Sequence, residues 1–122
     1  MNQVEKYTKH GFPFFDGHNY VFWSTMMKLF LQSQGLEIWE IVKSGFTLPE
    51  DMEEPTDPTE RRKFVQNLKA MCAILGGLTG TDFVKVMHYK STKEIWGKLK
   101  KIYEGDDKVK KAKLQTHRRR FE

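Results

Sequence analysis

A chain of 122 residues has room for one domain and not for two independent cores, and its 39% hydrophobic and 13% aromatic content fills that core well enough to exclude disorder along the whole length. The net charge of +5 is unevenly spread: eight acids stand against Lys43 between Glu37 and Glu60, and thirteen Lys and Arg stand against five acids from Lys85 onward. A single cysteine, Cys72, excludes an internal disulfide and a cysteine-built zinc site, and no apolar run approaches the ~20 residues of a membrane span, so the sequence predicts a soluble, cytoplasmic protein.

Residues 1–11 are polar and unpatterned and read as a flexible arm. Phe12, Pro13, Phe14 and Phe15 follow as an aromatic, strand-like lead-in, because Pro13 fixes its own φ and biases Phe12 toward an extended shape. Asp16, Gly17 and Asn19 supply turn and cap chemistry, and Tyr20, Trp23, Met27, Phe30 and Gln34 then recur at helical spacing, which predicts a helix over 19–34. Gly35 in a left-handed conformation would stop it. Leu36, Ile38, Trp39 and Val42 make a short second helix, ended by Gly45 in the same way, and the acidic stretch from Phe46 to Pro55 with its two prolines reads as a loop.

A third helix opens at Asp57, Pro58 and Glu60, with a carboxylate cap, a proline where no amide is missed and an acid at the third position. Phe64, Leu68, Met71, Leu75 and Leu78 would form its buried face, weakened at the end by Gly76 and Gly77. Thr81 to His88 reads as helical, although alternation is also visible there. Ser91 and Glu94 suggest a capping box for the next helix, with Ile95, Trp96, Leu99, Ile102 and Tyr103 as its apolar stripe and Gly105 closing it. A last, basic helix over 106–122 has Leu114, His117 and Phe121 on its buried side and still runs at Glu122, as though leading into a further lobe. The expected architecture is all-α: a compact bundle of five or six helices over 12–105 and beyond.

Three stretches carry a resemblance. Phe15, Asp16, Gly17, Asn19, Tyr20 and Trp23, then Ile95, Trp96, Lys98, Leu99, Tyr103, Glu104 and Gly105, then Lys110, Lys111, Ala112, Lys113, Leu114 and Gln115 together resemble the amino-terminal part of the Gag polypeptide of plant copia-type LTR retrotransposons. The middle of the chain is similar mainly by apolar pattern. The resemblance implies a fold like a retroviral capsid amino-terminal lobe and a structural role in a virus-like particle that packages the element's RNA. For a copy domesticated by a host, it implies retained protein binding. The second lobe and the CCHC zinc knuckle of that family are not in this sequence.

The residues themselves point to surfaces rather than to a reaction. His10, His18, His88 and His117 have no metal-ligand spacing, Ser24, Ser33, Ser44 and Ser91 have no base and orienting group beside them, and Gly76, Gly77 and Gly80 lack the order of a phosphate-cradling loop. No cofactor, metal, small-molecule substrate or catalytic residue is therefore expected. Aromatics at helical spacing, Tyr20, Trp23, Phe30, Trp39, Phe64 and Trp96, read as core.

Phe12, Phe14 and Phe15 precede any helix, so they either lid the bundle or fill a neighbour's groove. Met26, Leu31, Ile41 and Val65 fall off the main core stripes, so they are either secondary core or contact surface. Those seven residues are the candidates for binding other copies of the chain, or a host protein or peptide. Lys108, Lys110, Lys111, Lys113, Arg118, Arg119 and Arg120 could neutralise phosphates of RNA. Only Phe121 is aromatic among them, so such binding would be weak and blind to sequence. The charge asymmetry leaves the bland reading open as well: two solvated faces that keep the chain soluble.

Overall fold

A computed structural model describes residues 8–9, 11–51 and 53–104. A two-stranded antiparallel hairpin, β1 (Thr8–Lys9) and β2 (Phe12–Pro13), leads into five helices: α1 (Tyr20–Gln34), α2 (Leu36–Ser44), α3 (Pro58–Gly76), α4 (Gly80–Val86) and α5 (Thr92–Glu104). The fold is the expected all-α bundle, and the predicted basic helix over 106–122 lies outside the described residues. Of the arm, Thr8 and Lys9 pair with β2, and residues 1–7 and 10 also lie outside them.

Local chemistry sets the boundaries. The His18 amide donates to Asp16 Oδ1 at 2.9 Å, and Asn19 takes a left-handed conformation (φ 54°) before Trp23 N–H reaches back to its carbonyl. Gly35 alone separates α1 from α2. It does so at φ 156°, ψ 132°, and Gly45 ends α2 at φ 90°, ψ 147°. Neither is the left-handed helical conformation that the sequence suggested. Both are extended at positive φ, a region in practice reserved for glycine, which turns the chain out of the helix axis at once. At the start of α3 the predicted cap is present: Asp57 Oδ2 accepts the Glu60 amide at 3.0 Å with Pro58 in the first turn.

The core is one cluster. Phe15, Trp23, Met27, Leu31, Ile38, Val42, Ile74, Val86, Ile95 and Leu99 are all but sealed from solvent, and each such burial stabilises the fold by about 1.5–3 kcal/mol. Trp23 is its centre, against Phe15 at 5.2 Å and Trp96 at 5.7 Å between ring centroids. The helix α2 packs on α1, α3 and α5 and so joins the bundle together.

The buried face of α3 differs from the predicted one. Phe64, Asn67, Ala70, Ala73 and Ile74 point inward, while Leu68, Met71 and Leu75 are half-exposed. A helix touched by α1, α2, α5 and β2 must let backbones approach, which favours alanine over leucine at the closest line of contact. The inward polar groups are satisfied. Asn67 Oδ1 accepts the Thr92 hydroxyl at 3.0 Å, tying α3 to α5, and Asp82 accepts from the Tyr103 hydroxyl and from Thr79 Oγ1 at 3.4 Å, tying α4 to α5.

The loop between α2 and α3 is anchored rather than free over its first part: Leu48 is buried, and its amide donates to the Lys90 carbonyl at 3.0 Å.

Candidate protein-binding groove

The aromatic lead-in is fixed by the end of α3. Phe15 N–H donates to the Gly77 carbonyl at 2.7 Å, Phe15 forms a parallel bridge with Leu78, and the Trp23 indole N–H donates to the Pro13 carbonyl at 3.1 Å. A Cβ on Gly77 would stand 2.2 Å from that same Pro13 oxygen, so only glycine lets the lead-in cross here. Sequence reasoning read the Gly76-Gly77 pair as a weak helix end. The signal it offered was a close backbone crossing.

This crossing sets Phe12 across Gly76 and edge-on to Phe30, with ring centroids 5.8 Å apart. Phe12 thereby becomes one wall of an open apolar groove of about 410 Å³. Phe30, Leu31 and Gln34 of α1, Ile38 of α2, and Val65, Leu68, Lys69, Cys72 and Ala73 of α3 make up the rest. The lining is hydrocarbon and sulfur with one ammonium and one amide at the margin. Such a surface buries apolar side chains of a partner and offers nothing to activate a bond.

Of the seven candidate contact residues, the structure brings Phe12, Leu31 and Val65 to this groove. Leu31 is 1% exposed, so it belongs to the core and not to an outward face. Ile41 is likewise buried, beneath Glu37 and Arg62 between α2 and α3, and Phe15 is sealed in the aromatic centre. Those three are corrected from contact surface to core: the alternative reading of each, secondary core or lid, is the one the burial supports. Phe14 is half-buried. Met26 is exposed on the outer face of α1 and does not line the groove. The basic candidates from Lys108 to Arg120 lie outside the described residues. Lining residues that the sequence did not single out are Leu68, Lys69 and Cys72. Leu68 was assigned to the core face of α3, and Cys72 was weighed only as a disulfide or zinc partner.

Electrostatics around the bundle are milder than the run of acids implied. Glu37 holds Arg62 through two hydrogen bonds, one of 2.8 Å, Glu54 meets Arg61 at 2.8 Å, Glu40 meets Lys43 at 2.9 Å and Glu60 meets Lys63 at 3.7 Å. Arg61 and Arg62, which follow Glu60 in sequence, fold back over Glu54 and Glu37, which precede it. Exposed pairs of this kind contribute about 0–1 kcal/mol each, so their effect is to neutralise the surface rather than to hold the fold. Burial pushes the Tyr103 hydroxyl up to about 12, with further contributions from its bond to Asp82 and from that carboxylate's charge. Burial and then the nearby Glu104 raise Tyr20 in the same direction.

Among the described residues no set of three His, Cys, Asp or Glu side chains could hold a metal ion, and no helix is long and apolar enough to cross a membrane. In comparisons with known proteins, the family model described as gag-polypeptide of LTR copia-type matches residues 27–122. No curated protein and no solved structure matches the chain.

Proposed function

Because the chain belongs to the gag-polypeptide family of LTR copia-type elements, we propose that it is a non-catalytic assembly domain of a cytoplasmic Gag, which associates with other copies through apolar contacts at the groove walled by Phe12 and Val65. The groove is the observation that carries this reading. Its lining is almost wholly apolar, with Phe12, Phe30 and Leu68 half-buried and Val65 and Cys72 exposed around one concavity. Individually weak contacts of this size add up when many copies are held in an array, which suits a shell better than an isolated dimer.

The same groove supports a second reading, a host-domesticated module in which an extended or helical peptide lies between α1 and α3. Weak RNA binding through Lys108, Lys110, Lys111, Lys113, Arg118, Arg119 and Arg120 is the third, and would add a steep salt dependence. Sedimentation over a concentration series, with and without RNA, separates the three. Oligomers that grow with protein concentration in the absence of RNA are expected. A monomer at every concentration, with or without RNA, would overturn the assembly reading.

A further inference from the structure

A groove is concave, and two grooves set face to face would leave a void between them, so a copy that fills the groove between α1 and α3 must bring a convex element to it. The outer face of α1 is such an element. Phe22, Met26 and Leu29 are 50%, 42% and 54% exposed, while Tyr20, Trp23, Met27 and Leu31 occupy the inward face. The three exposed side chains stand at positions i, i+4 and i+7, the spacing by which a helix anchors itself in an apolar groove.

Charge selects this face over the other exposed apolar cluster. Lys28 is the sole charged residue of α1, and its ammonium lies 5.4 Å from the centre of the Trp39 ring on α2. The cluster of Phe83, Val84 and Met87 instead encloses the half-exposed Lys85, whose partner Asp82 is buried beneath it. Among the described residues Lys69 is the one charged side chain that lines the groove. The α4 cluster would carry a second ammonium into an apolar setting beside Lys69, at a cost in desolvation and repulsion, whereas Phe22, Met26 and Leu29 carry none. Area fits an array. These three side chains expose roughly 300 Å² in all, so with its polar rim the contact stays below the ~1,200 Å² of a stable complex and holds through repetition.

Resting on the assembly reading above, we propose that the outer face of α1 in one copy fills the groove of the next, with Phe22, Met26 and Leu29 set against Phe12, Val65 and Leu68. The contact is head to tail. The donor face and Phe30, which lines the groove, lie about a quarter turn apart round one helix, so each copy offers both halves and the series closes into a ring or runs on. Met26, which does not line the groove, is then a contact residue on the donor side.

Two variants of the full chain that spoil opposite halves of the contact test this. Met26→Gln with Leu29→Gln removes the donor face, and Val65→Asp spoils the groove. Each alone should weaken association at least about tenfold in sedimentation. Their equimolar mixture should form one-to-one pairs that grow no further, because one intact α1 face then meets one intact groove. A mixture that stays monomeric, while each variant keeps the melting temperature of the unaltered chain, overturns the proposal. If the glutamine variant associates like the unaltered chain and Val65→Asp does not, the α1 face is not the occupant and only the groove reading stands. If Val65→Asp itself associates unimpaired, both fall. Should the paired glutamines lower the melting temperature, Leu29→Ala alone keeps a good helix former at an exposed position and should still weaken association about threefold. Unchanged association in that variant overturns the proposal equally.

Discussion

At Gly77 the chain has no room for a methyl group, because the Pro13 carbonyl would lie 2.2 Å from it. Gly77→Ala should therefore displace the lead-in at a cost of about 1–3 kcal/mol, read as a fall in melting temperature of at least about 4 °C. An unchanged melt would mean that the lead-in does not lie where Phe12 walls the groove. Tyr103 offers a different probe. Its ordinary value is 10.0, and burial with the Asp82 contact raises it to about 12 in the folded chain. Between those values the unfolded chain has released this proton while the folded chain keeps it. The contribution is thus complete below pH 10.0 and is lost as pH rises through about 12. Near-ultraviolet difference absorbance against Tyr103→Phe should show the late ionisation, and titration at the ordinary value would refute the contact with Asp82. Residues such as these were the least legible in the sequence. A glycine chosen for a crossing looks like a glycine chosen for a helix end, and the Asn67–Thr92 and Asp82–Tyr103 bonds join positions 25 and 21 residues apart, which no local pattern reveals.

Elements were more readable, because their signals are local. The cap at Asp57 and Pro58, the stops at Gly35 and Gly45, and the apolar periodicity of α1, α2 and α5 each depend on a few consecutive side chains. Asp57→Ala should cost about 0.5–2 kcal/mol of stability in urea denaturation by leaving the Glu60 amide without its acceptor; no loss would show the cap to be idle. The inward face of α3 was misread for a physical reason. Its large residues suggested the stripe through Phe64, Leu68 and Leu75, yet a central helix puts its small residues, Ala70 and Ala73, at the closest approach and releases Leu68 to the groove. The sequence likewise led Phe15, Leu31 and Ile41 to be weighed as contact residues. Helical spacing indicates which residues share a face, but only the packing of all five helices decides how wide the buried sector is.

At the scale of the whole molecule, a single sealed core leaves function to the surface, and an open apolar groove lies there between α1 and α3. The all-α class and the family were legible in the sequence, since both rest on patterns that run through the chain. The groove was legible only in part. Phe12 and Val65 stood out because neither fits a core stripe, whereas Lys69 and Cys72 gave no sign. Val65 is 38% exposed, so Val65→Asp should leave the melt within about 0.5 kcal/mol of the unaltered chain while weakening association between copies. A loss of stability without any loss of association would place Val65 in the fold and not in the contact.

The native thiol gives the most direct measurement. Cys72 is exposed and lines the groove, so the rate at which an aromatic disulfide reagent labels it reports whether the groove is filled. If copies associate there, labelling should slow as protein concentration rises, and Val65→Asp should restore the fast rate. Labelling equally fast at every concentration at which oligomers are present would contradict the assignment of this groove as the contact.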